Sequence, residues 1–149
     1  MVACREPGVP TRASPPPAQQ LTLTSASPPS GAVVTTQECP SLETPAVCSR
    51  EIDLEFSVIY DATVSDARVF VEFYTASEQR CAVTVTRQFT LQPGALTTLR
   101  TDVVLLSAPP EPQFCELPAT TTRIVATLME GSRTRLLMRE FQQTYTFMP

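Results

Sequence analysis

Ile52, Leu54, Phe56 and Val58 alternate with Asp53, Glu55 and Ser57. A period of two sends one set of side chains to a core and the other to water, and only a strand does this. The pattern recurs along the chain. Leu21-Thr22-Leu23-Thr24 alternates, as do Val69, Val71 and Phe73 against Phe70, Glu72 and Tyr74. Ile124, Ala126 and Leu128 do the same, and residues 136–147 form a last strand. Proline- and glycine-bearing breaks separate the runs, and no helical period appears. Seven strands are expected, eight with a short segment at 32–36, in an all-β antiparallel sandwich.

The stretch 80–106 carries the strongest local prediction. Cys81, Val83 and Val85 alternate with Ala82, Thr84 and Thr86, and are expected to supply the buried face. Gln92-Pro93-Gly94-Ala95 suits a type II turn, with proline presetting φ at the second position and glycine supplying a positive φ at the third. Leu99, Thr101, Val103 and Leu105 then alternate again. The expectation is one long β-hairpin. In the last strand, Arg139 and Gln143 fall on the parity of Leu137, Phe141 and Tyr145, which calls for a bulge or a strand that twists from core to edge.

Absences narrow the chemistry. The 149 residues contain no His, Lys, Asn or Trp. Without His, Ser-His-Asp and Cys-His nucleophile systems and the commonest metal ligand drop out. Without Lys there is no Schiff base or phosphate-loop lysine. A net charge of −4 gives no electrostatic footprint for nucleic acid. Carboxylate pairs are present, but no motif places them for glycosidase chemistry, so no catalytic residue is expected. Nor is any metal or cofactor. Asp61 and Asp66 bracket a turn and suit calcium, but turn capping explains them more simply.

Five cysteines occur, at Cys4, Cys39, Cys48, Cys81 and Cys115, none spaced as C-x-x-C. Zinc knuckles need that spacing, so disulfides in an exported protein are the better reading. Setting Cys4 aside leaves four cysteines and three possible connectivities. Proximity favours Cys39 with Cys48, closing a loop that contains Pro40 and Pro45, and Cys81 with Cys115. The latter link ties down the proline-rich segment 107–118. Phe114 in that segment is the candidate contact residue for a protein partner; the competing reading folds it back over the core edge. Phe70, Tyr74, Val125 and Met129 make two strands apolar on both faces. Either that outer face meets another protein or a further segment covers it.

Residues 1–19 are rich in Pro, Ala and small polar residues and are expected to form a disordered tether ahead of a sandwich domain at 20–149. Val2-Ala3-Cys4 resembles the end of a bacterial lipoprotein signal, and the strand order beyond residue 20 resembles immunoglobulin-like and fibronectin-III-like domains. The second resemblance departs from true immunoglobulin domains: there is no tryptophan, and the strands at 52–60 and 122–129 carry no cysteine. Together the resemblances imply a non-enzymatic cell-envelope lipoprotein, attached to the membrane only through a lipid on Cys4. It would mediate protein contact or fill a structural place in an assembly. An extracytoplasmic ligand- or carbohydrate-binding module is the alternative, and the missing tryptophan counts against it.

Overall fold

The computed structural model describes residues 19–41, 44–107 and 115–149. Alternation in the sequence becomes alternation in burial. In the strand Asp53–Ile59, Leu54, Phe56 and Val58 are fully buried while their neighbours are half-exposed. The fold is all-β, 71% strand, with no helix among the described residues.

Twelve strands are described rather than the seven or eight expected: β1 (Gln20–Ser27), β2 (Ala32–Thr35), β3 (Gln37–Ser41), β4 (Thr44–Ser49), β5 (Asp53–Ile59), β6 (Val64–Thr75), β7 (Arg80–Val85), β8 (Phe89–Leu91), β9 (Thr97–Arg100), β10 (Val104–Ser107), β11 (Ala119–Glu130) and β12 (Thr134–Met148). They form two sheets. The small one has the order β9-β5-β1. The large one runs β2-β12-β11-β6-β7-β10-β4-β3, with β8 paired to the start of β6, and it curls toward a barrel. The sheets share one core, in which Phe56 of β5 meets Phe141 of β12 at 6.0 Å between ring centroids. Phe73 meets the rings of Tyr145 and Phe147.

The expectation of an antiparallel sandwich holds at the level of two β-sheets and fails at one pairing. β2 runs parallel to the end of β12, with Ala32 opposite Tyr145 and Met148 opposite Thr35. The chain enters β2 through Gly31 at φ +99°, whose N–H donates to the Thr144 carbonyl at 2.7 Å. Glycine reaches that φ without steric cost.

The hairpin expected over 80–106 forms only at its base, where Val83 pairs with Leu105 and Thr86 with Thr101, and its arms part before the turn. The type II turn is present, with Gly94 at φ +74° and the Ala95 N–H donating to the Gln92 carbonyl at 3.1 Å. But the strands on either side of it belong to different sheets. β7 pairs with β6 and β10 in the large sheet, while β9 pairs with β5 in the small one. The turn is tied to the end of β5 by the Gly94 N–H, which donates to the Tyr60 carbonyl at 2.8 Å. Thr101 extends that pairing to Leu54 before the chain returns to the large sheet.

The expected faces of β7 hold at Cys81, which is fully buried, and reverse after it. Ala82, Thr84 and Thr86 point inward and are buried, whereas Val85 is 36% exposed. The two threonines are tolerated inside because their hydroxyls find backbone partners. Thr84 Oγ1 donates to the carbonyls of Asp102 and Val103, both at 3.0 Å. Thr86 Oγ1 accepts the Val69 N–H at 3.0 Å and donates to the Arg87 carbonyl.

Two further expectations change. The Cys39–Cys48 segment is not a loop but a β-hairpin, β3 against β4, with Cys39 opposite Ala46. The parity conflict in β12 resolves into a bulge: Thr121 faces Tyr145 but Arg123 faces Gln142, so β12 carries one extra residue there. Gln143 stays buried even so, because its amide donates to the Tyr145 hydroxyl at 3.0 Å.

Candidate functional site

The outer face of the large sheet gathers what the core does not use. Its layout follows from register. Phe70 on β6 stands between Thr127 on β11 and Val85 on β7. One step along, Glu72 stands between Val125 and Val83, and beyond it Tyr74 stands between Arg123 and Arg80. On the far side of β11, Met138 faces Thr127 and Glu140 faces Val125. Met129 lies opposite Arg68 and Arg135. Because strand side chains alternate, all of these turn away from the core.

The result is an apolar stripe in a charged frame. Met138 is 54% exposed, and Phe70, Val125 and Met129 are half-buried. A depression of about 620 Å³ runs over them, lined, among the described residues, by β6, β7, β11, β12 and the β6–β7 turn. A second, of about 280 Å³, continues it over Val85, Phe70 and Met129 to Gly131.

Arg123 organises one end of the frame. Its guanidinium lies 4.6 Å from the Tyr74 ring centroid and pairs with Glu78 and with Glu140, the latter at 2.7 Å. The hydrogen bond to Glu78 leads the effects that raise its pKa. Burial first, then the Glu72 charge, raises the Tyr74 phenol. Arg80 pairs with Glu72 at 3.0 Å. At the other end, Arg68 donates to Gln88 at 3.3 Å and lies 3.8 Å from Asp66, while Arg135 has no ion pair among the described residues. Such exposed pairs add little stability. What the arrangement offers is contact: apolar area in the middle, ordered charges of both signs around it.

The anticipated site residues fall elsewhere. Cys4, Phe114 and the tether, except Gln19, lie outside the described residues. Cys39 is paired with Cys48, with Cα atoms 5.8 Å apart, and Cys81 with Cys115, at 5.0 Å. These are the pairs that proximity favours. Asp61 accepts a hydrogen bond from Gln19 at 3.3 Å, and Asp66 belongs to β6 rather than to a turn. No three His, Cys, Asp or Glu residues gather as a metal site among the described residues.

Alternation alone singled out Phe70, Tyr74, Val125 and Met129, and the structure brings them together. It adds Val85, Arg123, Arg135, Met138 and Glu140, which the sequence reading missed. The even parity of 138, 140 and 142 in β12 was available as a signal, but which strand they would join was not. No protein-family model and no curated protein sequence matches the chain.

Proposed function

We propose that this is a non-enzymatic, extracytoplasmic protein of the cell envelope, held at the membrane through a lipid on Cys4, which makes protein contact through the outer face of its large sheet. One observation carries the contact role: an apolar stripe with Met138 54% exposed and Val85 36% exposed, set among paired charges. Contiguous apolar surface of this kind marks an interaction site. The two cysteine pairs support an oxidising compartment, because thiols are kept reduced in the cytosol. The immunoglobulin-like character of the sandwich belongs to the same reading.

The test places a photo-crosslinking residue at Met138, at Val85 and, as a control, at exposed Thr98 on the small sheet, in cells making the full chain. Crosslinked protein products at the first two positions and none at Thr98 are expected. Equal yields at all three, or none, would refute the contact role. In the same cells Cys4→Ser is expected to move the protein from the membrane fraction to the soluble one; retention at the membrane would refute the anchor.

A further inference from the structure

We infer that the partner seated on this face is a second copy of the same chain, packed sheet to sheet about a two-fold axis that crosses the strands along the Phe70–Thr127 row. The inference rests on the contact role proposed above. Its ground is the order of charges along the strands. Three successive rows of side chains face outward. The first carries Arg68, Met129 and Arg135; the second Phe70, Thr127 and Met138; the third Glu72, Val125 and Glu140. Basic, apolar and acidic rows follow one another.

A two-fold contact must be self-complementary. When the axis lies in the interface and runs along the middle row, each strand keeps its place across the sheet and the outer rows exchange. Arg68 then meets Glu72 of the second copy, Met129 meets Val125, and Arg135 meets Glu140. Phe70 and Met138 meet their own equivalents in the apolar centre. Symmetry makes every charge pairing twice.

Placements on the neighbouring rows or along the strands fail on charge. An axis along the third row opposes Glu72 to Glu72 and Glu140 to Glu140. An axis along the first opposes Arg68 to Arg68 and Arg135 to Arg135. An axis parallel to the strands sets each row against itself, basic on basic and acidic on acidic. Like charges across an interface disfavour it. The selected arrangement also leaves the strands of the two copies aligned, which twisted sheets packed face to face accept within about 30°. Arg135 has no ion pair of its own among the described residues, and Glu140 keeps half its side chain exposed beside Arg123. Both are therefore able to take a partner from outside.

Size sets the strength. Four strands about 4.8 Å apart and three rows about 6.8 Å apart cover roughly 400 Å² per copy. That is half of the ~800 Å² per partner in a standard interface. A micromolar, concentration-dependent dimer is expected.

The experiment is sedimentation of the full oxidised chain from about 1 to 500 μM, a span that brackets a micromolar Kd, for the wild type, Arg135→Glu, Glu140→Arg and an equimolar mixture of the two variants. Wild type is expected to approach twice the monomer mass. Each single reversal places like charges together twice and weakens association about tenfold. In the mixture, a heterodimer of the two variants has only opposite charges at these positions, so association returns. Misfolding of either variant cannot produce that recovery.

Three results would overturn the inference: a wild type monomeric throughout, variants that associate as wild type does, or a mixture no better than its components. If the wild type stays monomeric while crosslinks at Met138 lead to a different protein, the second copy is wrong and the contact role stands. If neither appears, both fall.

Discussion

Tyr145→Phe removes a single oxygen from the core. The Tyr145 side chain is fully buried, and its hydroxyl donates to the Pro28 carbonyl at 2.7 Å and accepts from the Gln143 amide at 3.0 Å. The bond to Pro28 ties the end of β1 to β12 across 117 residues of chain. Each such bond contributes about 0.5–1.5 kcal/mol net, and an amide left buried without its partner costs about 1–3 kcal/mol more. Pro28 is only partly buried and water relieves it, whereas Gln143, at 7% exposure, has no such relief. The expected loss is about 2–3 kcal/mol, a large part of a stability of about 5–15 kcal/mol.

Urea titration of the oxidised protein reads this as a lower midpoint with an unchanged slope. The melting temperature should fall by about 6–12 °C. Adding Gln143→Leu removes the orphaned amide and should recover part of the loss. A loss under about 0.5 kcal/mol, or no recovery, would show that water rather than Tyr145 satisfies these groups.

The same residue sets an alkaline limit. Burial raises the Tyr145 phenol above its usual value, and the Gln143 hydrogen bond offsets this only in part. The folded state therefore holds a proton that the unfolded chain gives up near pH 10. The stabilisation is complete below that pH and is lost as pH rises through the folded pKa. Tyr145→Phe should flatten the fall in stability above pH 10 without abolishing it, since the Tyr74 phenol is raised as well.

Other perturbations separate the remaining parts of the fold. Removing Cys81–Cys115, 34 residues apart, by double serine replacement should cost about 3.5–4 kcal/mol, against about 2.5 kcal/mol for Cys39–Cys48, 9 apart. Equilibrium denaturation gives the order, and a reversed order refutes the loop-length argument. Thr86→Val should cost about 1–3 kcal/mol because the buried Val69 N–H loses its acceptor. Thr98→Val, on the exposed side of β9, should stay within about 0.5 kcal/mol. Equal effects from the two threonines would mean that the crossing is not held as described.

Burial patterns proved more legible in the sequence than pairing. Leu54, Phe56 and Val58 in β5, or Val69, Val71 and Phe73 in β6, declare their buried face through hydrophobicity alone, residue by residue. Thr84 and Thr86 do not, because a threonine goes inside only where a hydroxyl partner waits, and theirs are supplied by segments that arrive from elsewhere. In the candidate site, Phe70, Tyr74, Val125 and Met129 announced themselves as apolar residues on the wrong parity. Arg123 did not, since its place over Tyr74 depends on the β6–β11 register.

What the chain determined by itself is local: strands in place of helices, the type II turn at Gln92–Ala95, the two cysteine pairs that proximity favours, and the chemistry excluded by missing residue types. These follow from side-chain period, from the φ that proline and glycine permit, and from composition. Tertiary structure decided the rest. It sent β9 to β5 instead of β7, ran β2 parallel to β12, and turned Val85 outward to complete the apolar stripe. Strand pairing is a choice among distant backbones whose N–H and C=O groups are chemically alike, so it is settled by which arrangement closes the shared core and satisfies every hydrogen bond at once.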